Sequence, residues 1–203
     1  MNLEDARQIG MEVVRALTPA CDRIVIAGSV RRDKPTPKDI EIVYIASMTQ
    51  ARVNLFDTAP VPATDELIDD LVGHLFWFYD DHVKRNGPKY KRMIHTQSGA
   101  VIELFRAEPD NWGYILALRT GPGDFNALWA RHPWSGGTLP VDIRLKDGFV
   151  WRDGKPVAVP DEATFFNEIG IPNWPPAERS AARLGQWLLD QRRQRQLSDL
   201  KGR

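Results

Sequence analysis

The residues best suited to chemistry lie in two short segments near the N-terminus. Residues 28–32 form a Gly-Ser-Val-Arg-Arg stretch, and residues 39–41 place Asp39 and Glu41 on either side of an isoleucine. A glycine lets the backbone approach a ligand closely, and a helix that begins near Ser29 would direct free N–H groups at an anion. We expect one arginine to face phosphates and the other to face a carboxylate or solvent. The first segment therefore suits a triphosphate.

The acidic pair suits divalent metal ions. Alternate residues of a strand share a face, so Asp39 and Glu41 should project together while Ile40 points to the core. Two adjacent carboxylates raise one another's pKa unless a cation lies between them. Mg²⁺ prefers oxygen ligands and keeps positions open for substrate phosphates. A third acid, Glu103, alternates with apolar residues in the run 101–105, and three carboxylates can hold two ions roughly 3.5–4 Å apart.

Each of these parts also has an ordinary structural explanation. A pair of acids on a strand is often a solvated edge, Gly-Ser turns are common, and Glu103 alone would be a surface residue. The order in which turn, arginines, acids and strand follow one another favours a site for a nucleoside triphosphate and its metal ions.

The pattern of apolar residues predicts the elements that must position these side chains. Helices are predicted over residues 3–17, 65–78, 112–118, 124–131 and 176–194. Strands are predicted over residues 23–27, 40–45, 90–95 and 100–106, and short strands around the glycine turns at 147–148 and 153–154. A break at residues 107–110 separates two predicted lobes, and the polar tail beyond the last helix is expected to be loose.

Composition excludes some classes of protein. The chain has 203 residues, 42% of them hydrophobic, and a formal net charge of zero, which argues against a protein that coats nucleic acid. No apolar run is long enough for a membrane span, and the acidic N-terminus lacks a signal-peptide pattern. The single cysteine, Cys21, is predicted to be a buried thiol in a reducing compartment, the cytoplasm.

These motifs resemble those of the family X DNA polymerases, within the larger group of DNA polymerase beta-like nucleotidyltransferases. In that family a Gly-Ser turn and two arginines precede D-x-D on a strand, and a third aspartate follows on a later strand. Residues 28–32 and 39–41 match in order and spacing, and Glu103 stands where the third acid should be. Residues 118–126 are similar to the turn and helix that open the family's thumb, and residues 171–179 to its closing segment.

The resemblance implies an α+β fold. A nucleotidyltransferase palm, a mixed sheet flanked by helices, would span residues 1–107, and a small α+β thumb lobe with a basic tail would span residues 108–203. It implies a monomer that adds deoxynucleotides to a primer 3′-hydroxyl, for example at gaps, and releases pyrophosphate. Two Mg²⁺ or Mn²⁺ ions would be bound by Asp39, Glu41 and Glu103. The nucleoside triphosphate would be bound by Gly28, Ser29, Arg32, Thr120, Gly121 and Asn126.

The sequence departs from the family's pattern in three places. Glu41 and Glu103 are one methylene longer than the usual aspartates, and Leu118 and Arg119 replace two aromatic residues that face the sugar. The start of the sequence leads us to expect a minimal form without the family's N-terminal lyase domain, like the smallest members, found in viruses and phages. These departures leave open a transferase that acts without a template on RNA, protein or a small molecule. The three acids disfavour a non-catalytic binding module.

Two further groups of residues have two interpretations each. Basic residues around the predicted hairpin and in the C-terminal tail either contact DNA phosphates or are simply solvated. The residues predicted to contact DNA are Lys84, Lys89, Lys91 and Arg92, with Arg192, Arg193 and Arg195 as further candidates. Tryptophans crowd the second lobe, and they either pack in the core or, where one is exposed, stack on a nucleobase. They are Trp112, Trp129, Trp134, Trp151, Trp174 and Trp187.

Overall fold

The computed structural model describes residues 1–52, 57–78 and 86–201, without the side chains of residues 195 and 199–201. The α-helices within these ranges are α1 (Leu3–Leu17), α2 (Gly28–Arg31), α3 (Ala63–Leu71), α4 (Trp112–Thr120), α5 (Gly123–Trp129), α6 (Glu162–Glu168) and α7 (Ala181–Lys201). The strands are β1 (Cys21–Ile26), β2 (Ile40–Ala46), β3 (Met48–Arg52), β4 (Thr58–Pro62), β5 (Phe76–Phe78), β6 (Asn86–Gly87), β7 (Tyr90–His95), β8 (Val101–Arg106), β9 (Ile143–Lys146), β10 (Phe149–Arg152) and β11 (Lys155–Val157).

A mixed β-sheet forms the first lobe. Its strands lie in the order β1-β2-β8-β7-β5, and β6 pairs with β7. Strands β2 and β8 run parallel, whereas the other neighbouring pairs are antiparallel. The sheet with its flanking helices confirms the predicted α+β class.

Helix α1 covers one face of this sheet. Its start is capped by Asn2, whose side chain accepts a hydrogen bond of 2.8 Å from the backbone of Asp5. A Cβ at Gly10 would lie within 3.4 Å of Ile26 and Ile40, so this glycine lets the helix approach the sheet closely. Ile40, Ile42, Ile102 and Leu104 are fully buried beneath the helix. Because strand residues alternate, Glu41 and Glu103 must point to the opposite face.

That opposite face packs against the second lobe. Val43 and Phe105 lie on the same side as the acids and form a buried cluster with Trp112 and Leu116 of α4. This cluster crosses the proposed boundary at residues 107–108, so α4 links the two lobes by apolar contact. Helix α4 therefore stands directly over the part of the sheet that carries the acids.

The second lobe has its own core and a small antiparallel sheet in the order β11-β10-β9. Four aromatic side chains pack together in this core and are fully buried: Phe125, Trp129, Phe165 and Phe166. Ring edges meet ring faces, as for Trp129 and Phe165 at 5.3 Å between centroids. Trp112 and Trp129 thus pack as the first interpretation predicts, whereas Trp134 remains 68% exposed.

Two predicted helices need correction, and one strand pairing was not predicted. The helix predicted over residues 65–78 ends at Leu71, because Gly73 adopts a positive φ of 85° and Phe76–Phe78 then joins the sheet. The pairing of β3 with β4 was not expected, and the helix α2 is a single short turn. The last helix continues to Lys201, beyond the predicted end at residue 194. Within the described ranges, no helix is long and apolar enough to cross a membrane.

Candidate active site

The parallel pairing of β2 with β8 places two of the predicted acids side by side. Glu41 is the direct register partner of Glu103. Neighbouring strands lie about 4.8 Å apart, and both side chains leave the sheet on the same face. Asp39, immediately before β2, approaches from the end of that strand. The fold therefore brings together three acids that are up to 64 residues apart in the sequence.

The electrostatics of Glu41 reflect this convergence. Burial, followed by the negative charges of Asp39 and Glu103, raises the pKa of Glu41 from its usual 4.5 to about 7. The positive charges of Arg119 and Arg32 offset part of the increase. Close carboxylates that disfavour their own ionisation are a donor set suited to hard divalent cations.

The side chains of Asp39, Glu41 and Glu103 do not form a complete metal coordination shell in the structure. Among the described residues, no three His, Cys, Asp or Glu side chains are grouped closely enough to hold one ion. One oxygen of Glu103 accepts a hydrogen bond of 2.6 Å from the Tyr90 hydroxyl, and Arg92 Nε lies 3.7 Å from the same oxygen. The donor chemistry fits Mg²⁺ or Mn²⁺, and metal binding by these three acids stays a prediction.

Tyr90 holds the longer third acid in place. The rings of Tyr90 and Phe105 stack with 5.0 Å between their centroids. The guanidinium of Arg119 lies over the Phe105 ring, 3.8 Å from its centroid. Arg119, which the sequence placed near a sugar, thus lies on Phe105 and contributes positive charge near Glu41. This stack connects α4 of the second lobe to the hydroxyl that contacts Glu103.

For the nucleotidyl transfer that the sequence resemblance implies, we expect Tyr90→Phe to lower the rate about tenfold, because one hydrogen bond to a charged group is lost while the ring stack remains. If Glu103 is a metal ligand, the loss should be largest at low Mg²⁺, since the ion would have to order a loosely held Glu103. Titration of the rate with Mg²⁺ measures this effect. A variant as fast as the wild type at every Mg²⁺ concentration would show that Tyr90 does not position Glu103.

The raised pKa of Glu41 also predicts how stability depends on pH. Between pH 4.5 and pH 7 the folded chain keeps a proton that the unfolded chain has released, so this group lowers stability as the pH rises. Without metal, Glu41→Gln should therefore stabilise the protein at pH 8 by on the order of 1–3 kcal/mol, and by nothing below pH 4. Urea unfolding in a chelating buffer at both pH values measures this. The exposed Glu66→Gln serves as control, and an equal gain in both variants would refute the explanation.

The Gly-Ser turn begins the short helix α2 beside the acids. Gly28 has a positive φ of 62°, and a Cβ at this position would collide with the carboxylate of Glu41. Only glycine combines this backbone with this contact. Within the described chain, the buried Ser29 Oγ and Arg32 Nε have no hydrogen-bond partner. Such unpaired donors are costly unless a ligand completes them, and a phosphate would do so.

The two neighbouring arginines have different partners in the structure. Arg32 donates to the backbone carbonyl of Thr120, and burial lowers its pKa although Glu41 and Asp124 oppose this. Arg31 instead donates to both oxygens of Glu162 on α6, at 3.0 and 2.6 Å. One arginine thus faces the site and the other a carboxylate of the second lobe.

A buried ion cluster completes this link and was missed by sequence reasoning. Arg179, with a side chain only 1% exposed, donates to Glu162 at 2.7 Å and also to Trp174 O and Asn173 Oδ1. Burial alone would raise the pKa of Glu162, but the hydrogen bonds from Arg31 and Arg179 outweigh it and hold that pKa below its usual value. We name Arg31, Glu162 and Arg179 the lobe clamp.

The predicted nucleotide residues of the second lobe form a tightly bonded turn. Thr120 is buried, and its hydroxyl accepts a hydrogen bond of 2.8 Å from Arg31. Asn126 donates to Leu118 O at 2.7 Å and accepts from Trp129 Nε1 at 3.1 Å. A Cβ at Gly121 would collide with Asn126. The turn is therefore fixed beside Arg32, with its polar side chains directed at the protein itself.

The predicted DNA contacts do not share one face. Lys89 is exposed and lines a cavity of about 480 Å³ with Tyr90, Phe105 and Arg119. Lys91 is largely buried and pairs with Asp65 of α3 at 3.3 Å, while Arg92 points to Glu103. Lys84 lies outside the described residues.

Cys21 is half-buried, and burial raises the pKa of its thiol to about 12, which makes it a poor nucleophile.

Comparison with solved structures shows where this architecture occurs. Polymerase beta of Leishmania infantum, solved as a ternary P/T complex, superposes with a TM-score of 0.65 over 89% of this chain and 76% of that one. The chain therefore has a polymerase beta-like fold. At 14% sequence identity, the similarity establishes the fold and leaves the reaction to be argued from the site. No family model matches the sequence. A search of curated proteins also gives no match.

Proposed function

We propose that this protein is a metal-dependent nucleotidyltransferase of the family X DNA polymerase type. It would add a deoxynucleotide to a primer 3′-hydroxyl and release pyrophosphate, with gaps in DNA as a natural substrate. The observation that carries the proposal is the pairing of Glu41 with Glu103 beside the glycine turn at Gly28. Strands with a purely structural role would not need carboxylates, a glycine turn suited to phosphate and unpaired hydrogen-bond donors at one point.

The residues of the chain would divide the chemistry among themselves. Bound by Asp39, Glu41 and Glu103, two Mg²⁺ or Mn²⁺ ions would supply Lewis acidity at the α-phosphate and the attacking hydroxyl. Ser29 and the first N–H groups of α2 would donate to the β and γ phosphates, and Arg32 would neutralise charge there. The 3′-hydroxyl would attack the α-phosphorus in line and lose its proton to water. The bond between the α-phosphorus and the oxygen that bridges to the β-phosphorus would break, and that oxygen would leave with the pyrophosphate.

The second lobe, residues 108–203, would act as the thumb. Its turn at Thr120 and Gly121 contacts Arg32, and Glu162 of the lobe clamp contacts Arg31. A triphosphate bound at Ser29 and Arg32 would therefore lie against both lobes. We propose that the Thr120–Gly121 backbone, which Asn126 holds in place, lines the sugar and base, and that Lys89 contacts the DNA backbone.

A template-independent transferase is the second candidate, and the pairing of basic residues favours it. Lys91 is bonded to Asp65 and Arg92 lies near Glu103, so both positive charges are already partly balanced within the protein. A duplex requires several free cations along its phosphates. A smaller or single-stranded acceptor requires fewer.

Primer extension on matched substrates distinguishes these candidates. A 5′-labelled primer would be offered on a one-nucleotide gap, on a nick and alone, with each of the four deoxynucleoside triphosphates in Mg²⁺ or Mn²⁺. The DNA-directed proposal predicts extension on the gap with the complementary nucleotide in clear preference. Equal use of all four nucleotides, whatever the template base, would contradict it and support the second candidate.

A further inference from the structure

The loop between α5 and β9 presents an exposed aromatic pair that the proposed reaction does not use. Trp134 is 68% exposed, the highest value among the large hydrophobic residues that the structure describes. Its indole stacks on His132 with 4.3 Å between ring centroids and 22° between planes. One face of the indole is therefore covered by the imidazole, and the other face meets solvent.

The aromatic pair is held in place by contacts from its own loop and from β9. Arg144 Nη1 lies 3.0 Å from His132 Nε2, and because arginine only donates, this nitrogen must accept. His132 Nδ1 then donates to Leu139 O at 3.2 Å. The backbone closes the loop through Gly137 N to His132 O at 3.1 Å. A preorganised ring loses little conformational entropy when it binds a ligand.

Positive charge lies near these rings. Arg131 is exposed on the same loop, next to His132 in the chain, and Arg144, which contacts His132, is exposed on β9. A groove of about 400 Å³ runs from Pro133 and Gly137 to Gln191 and Arg192 of α7, which brings a third arginine to its far wall.

Two acids lie near this groove. Asp142 pairs with Arg152 at 2.9 Å, whereas Asp190 accepts a hydrogen bond from the neutral amide of Gln186 and keeps its negative charge. The three arginines outnumber this charge, so the surface offers a flat ring and net positive charge, which match the base and the phosphate of a nucleotide chain. We name the rings of His132 and Trp134, with Arg131, Arg144 and Arg192, the Trp134 platform.

We propose that the Trp134 platform binds single-stranded nucleic acid, with one base stacked on the open indole face and the backbone phosphates near the three arginines. A duplex keeps its bases stacked on one another and offers the ring no free face. The surface would hold an unpaired strand outside the carboxylate site. It goes beyond the proposed transfer reaction and does not depend on it.

Fluorescence anisotropy with a fluorescein-labelled twelve-residue oligothymidylate tests this proposal. All variants carry Asp39→Asn, so that turnover does not change the probe. Trp134→Ala should weaken binding about tenfold, as expected for one lost base stack, whereas Trp134→Phe should keep most of the affinity because a ring remains. Trp77→Ala removes the half-exposed tryptophan of β5 and should have no effect.

Salt and a duplex probe complete the test. Arg144→Gln and Arg192→Gln should each reduce the dependence of log affinity on log salt by about one. Affinity for a blunt duplex should be the same in the wild type and Trp134→Ala. The proposal is overturned if Trp134→Ala binds the single strand as well as Trp77→Ala does, or if it loses affinity for both probes equally. Because binding is measured without turnover, its failure is distinct from failure of the transferase.

Discussion

Replacing Asp39 by asparagine is expected to lower the rate of nucleotidyl transfer about a thousandfold or more. The substitution keeps the size of the side chain and removes a charge that the proposed site shares between two cations. It also removes the second-largest contribution to the raised pKa of Glu41, so that carboxyl should titrate at lower pH. Single-turnover rates and the Mg²⁺ concentration at half-maximal rate measure the effect.

A nearby aspartate provides a matched control. Asp33 follows α2, is largely exposed and pairs with Arg7 at 2.5 Å. Asp33→Asn should retain the wild-type rate because its charge is solvated and lies outside the carboxylate group. If Asp39→Asn keeps more than a tenth of the wild-type rate, Asp39 is not a metal ligand and the proposed site is wrong.

Removing Glu162 from the lobe clamp is expected to destabilise the fold by about 3–5 kcal/mol. Glu162→Ala would leave the buried guanidinium of Arg179 without its counter-ion, and desolvated charges of this kind are costly. Typical domains have only about 5–15 kcal/mol of stability, so the loss is large. Urea unfolding at neutral pH measures it.

The clamp also predicts a dependence on pH and on substrate. Because the pKa of Glu162 is held below its usual value, its stabilisation is complete above about pH 4.5 and is lost as the pH falls through the folded-state pKa. Glu162→Ala would also remove the carboxylate to which Arg31 donates. The KM for the triphosphate should therefore rise more than kcat falls. The exposed pair Glu178–Arg183 gives the control, since Glu178→Ala should cost less than about 1 kcal/mol. Equal losses in the two variants would contradict the role of burial.

The sequence predicts the elements that carry the site because their patterns are local. The helical spacing of Ala6, Val13 and Leu17 specifies α1 with its observed ends. The alternation of acids with apolar residues around β2 and β8 specifies which face each side chain takes. The resemblance in motif order placed Glu103 as the third acid on a later strand. The register that puts Glu41 opposite Glu103 was not predicted, since pattern alone does not determine which strands pair.

Other features depend on contacts between distant residues. Glu162 binds Arg31 across 131 positions, and a glutamate at the start of a helix is ordinary in any sequence. The adjacent arginines were one signal of such a contact in the sequence, because two neighbouring side chains on a short turn cannot both face the same phosphate. The end of α3 was missed because Phe76 satisfies both a helical and a strand pattern, and pairing with His95 decides between them.

The proposed nucleotidyl transfer is tested by following the α-phosphate of a labelled deoxynucleoside triphosphate on one-nucleotide-gapped DNA in Mg²⁺. The label should become covalently bound to the primer 3′ end, and one pyrophosphate should be released for each label incorporated. Asp39→Asn should abolish both products together. Release of pyrophosphate while the label stays as free nucleotide, or no reaction with any acceptor in Mg²⁺ or Mn²⁺, would contradict the account.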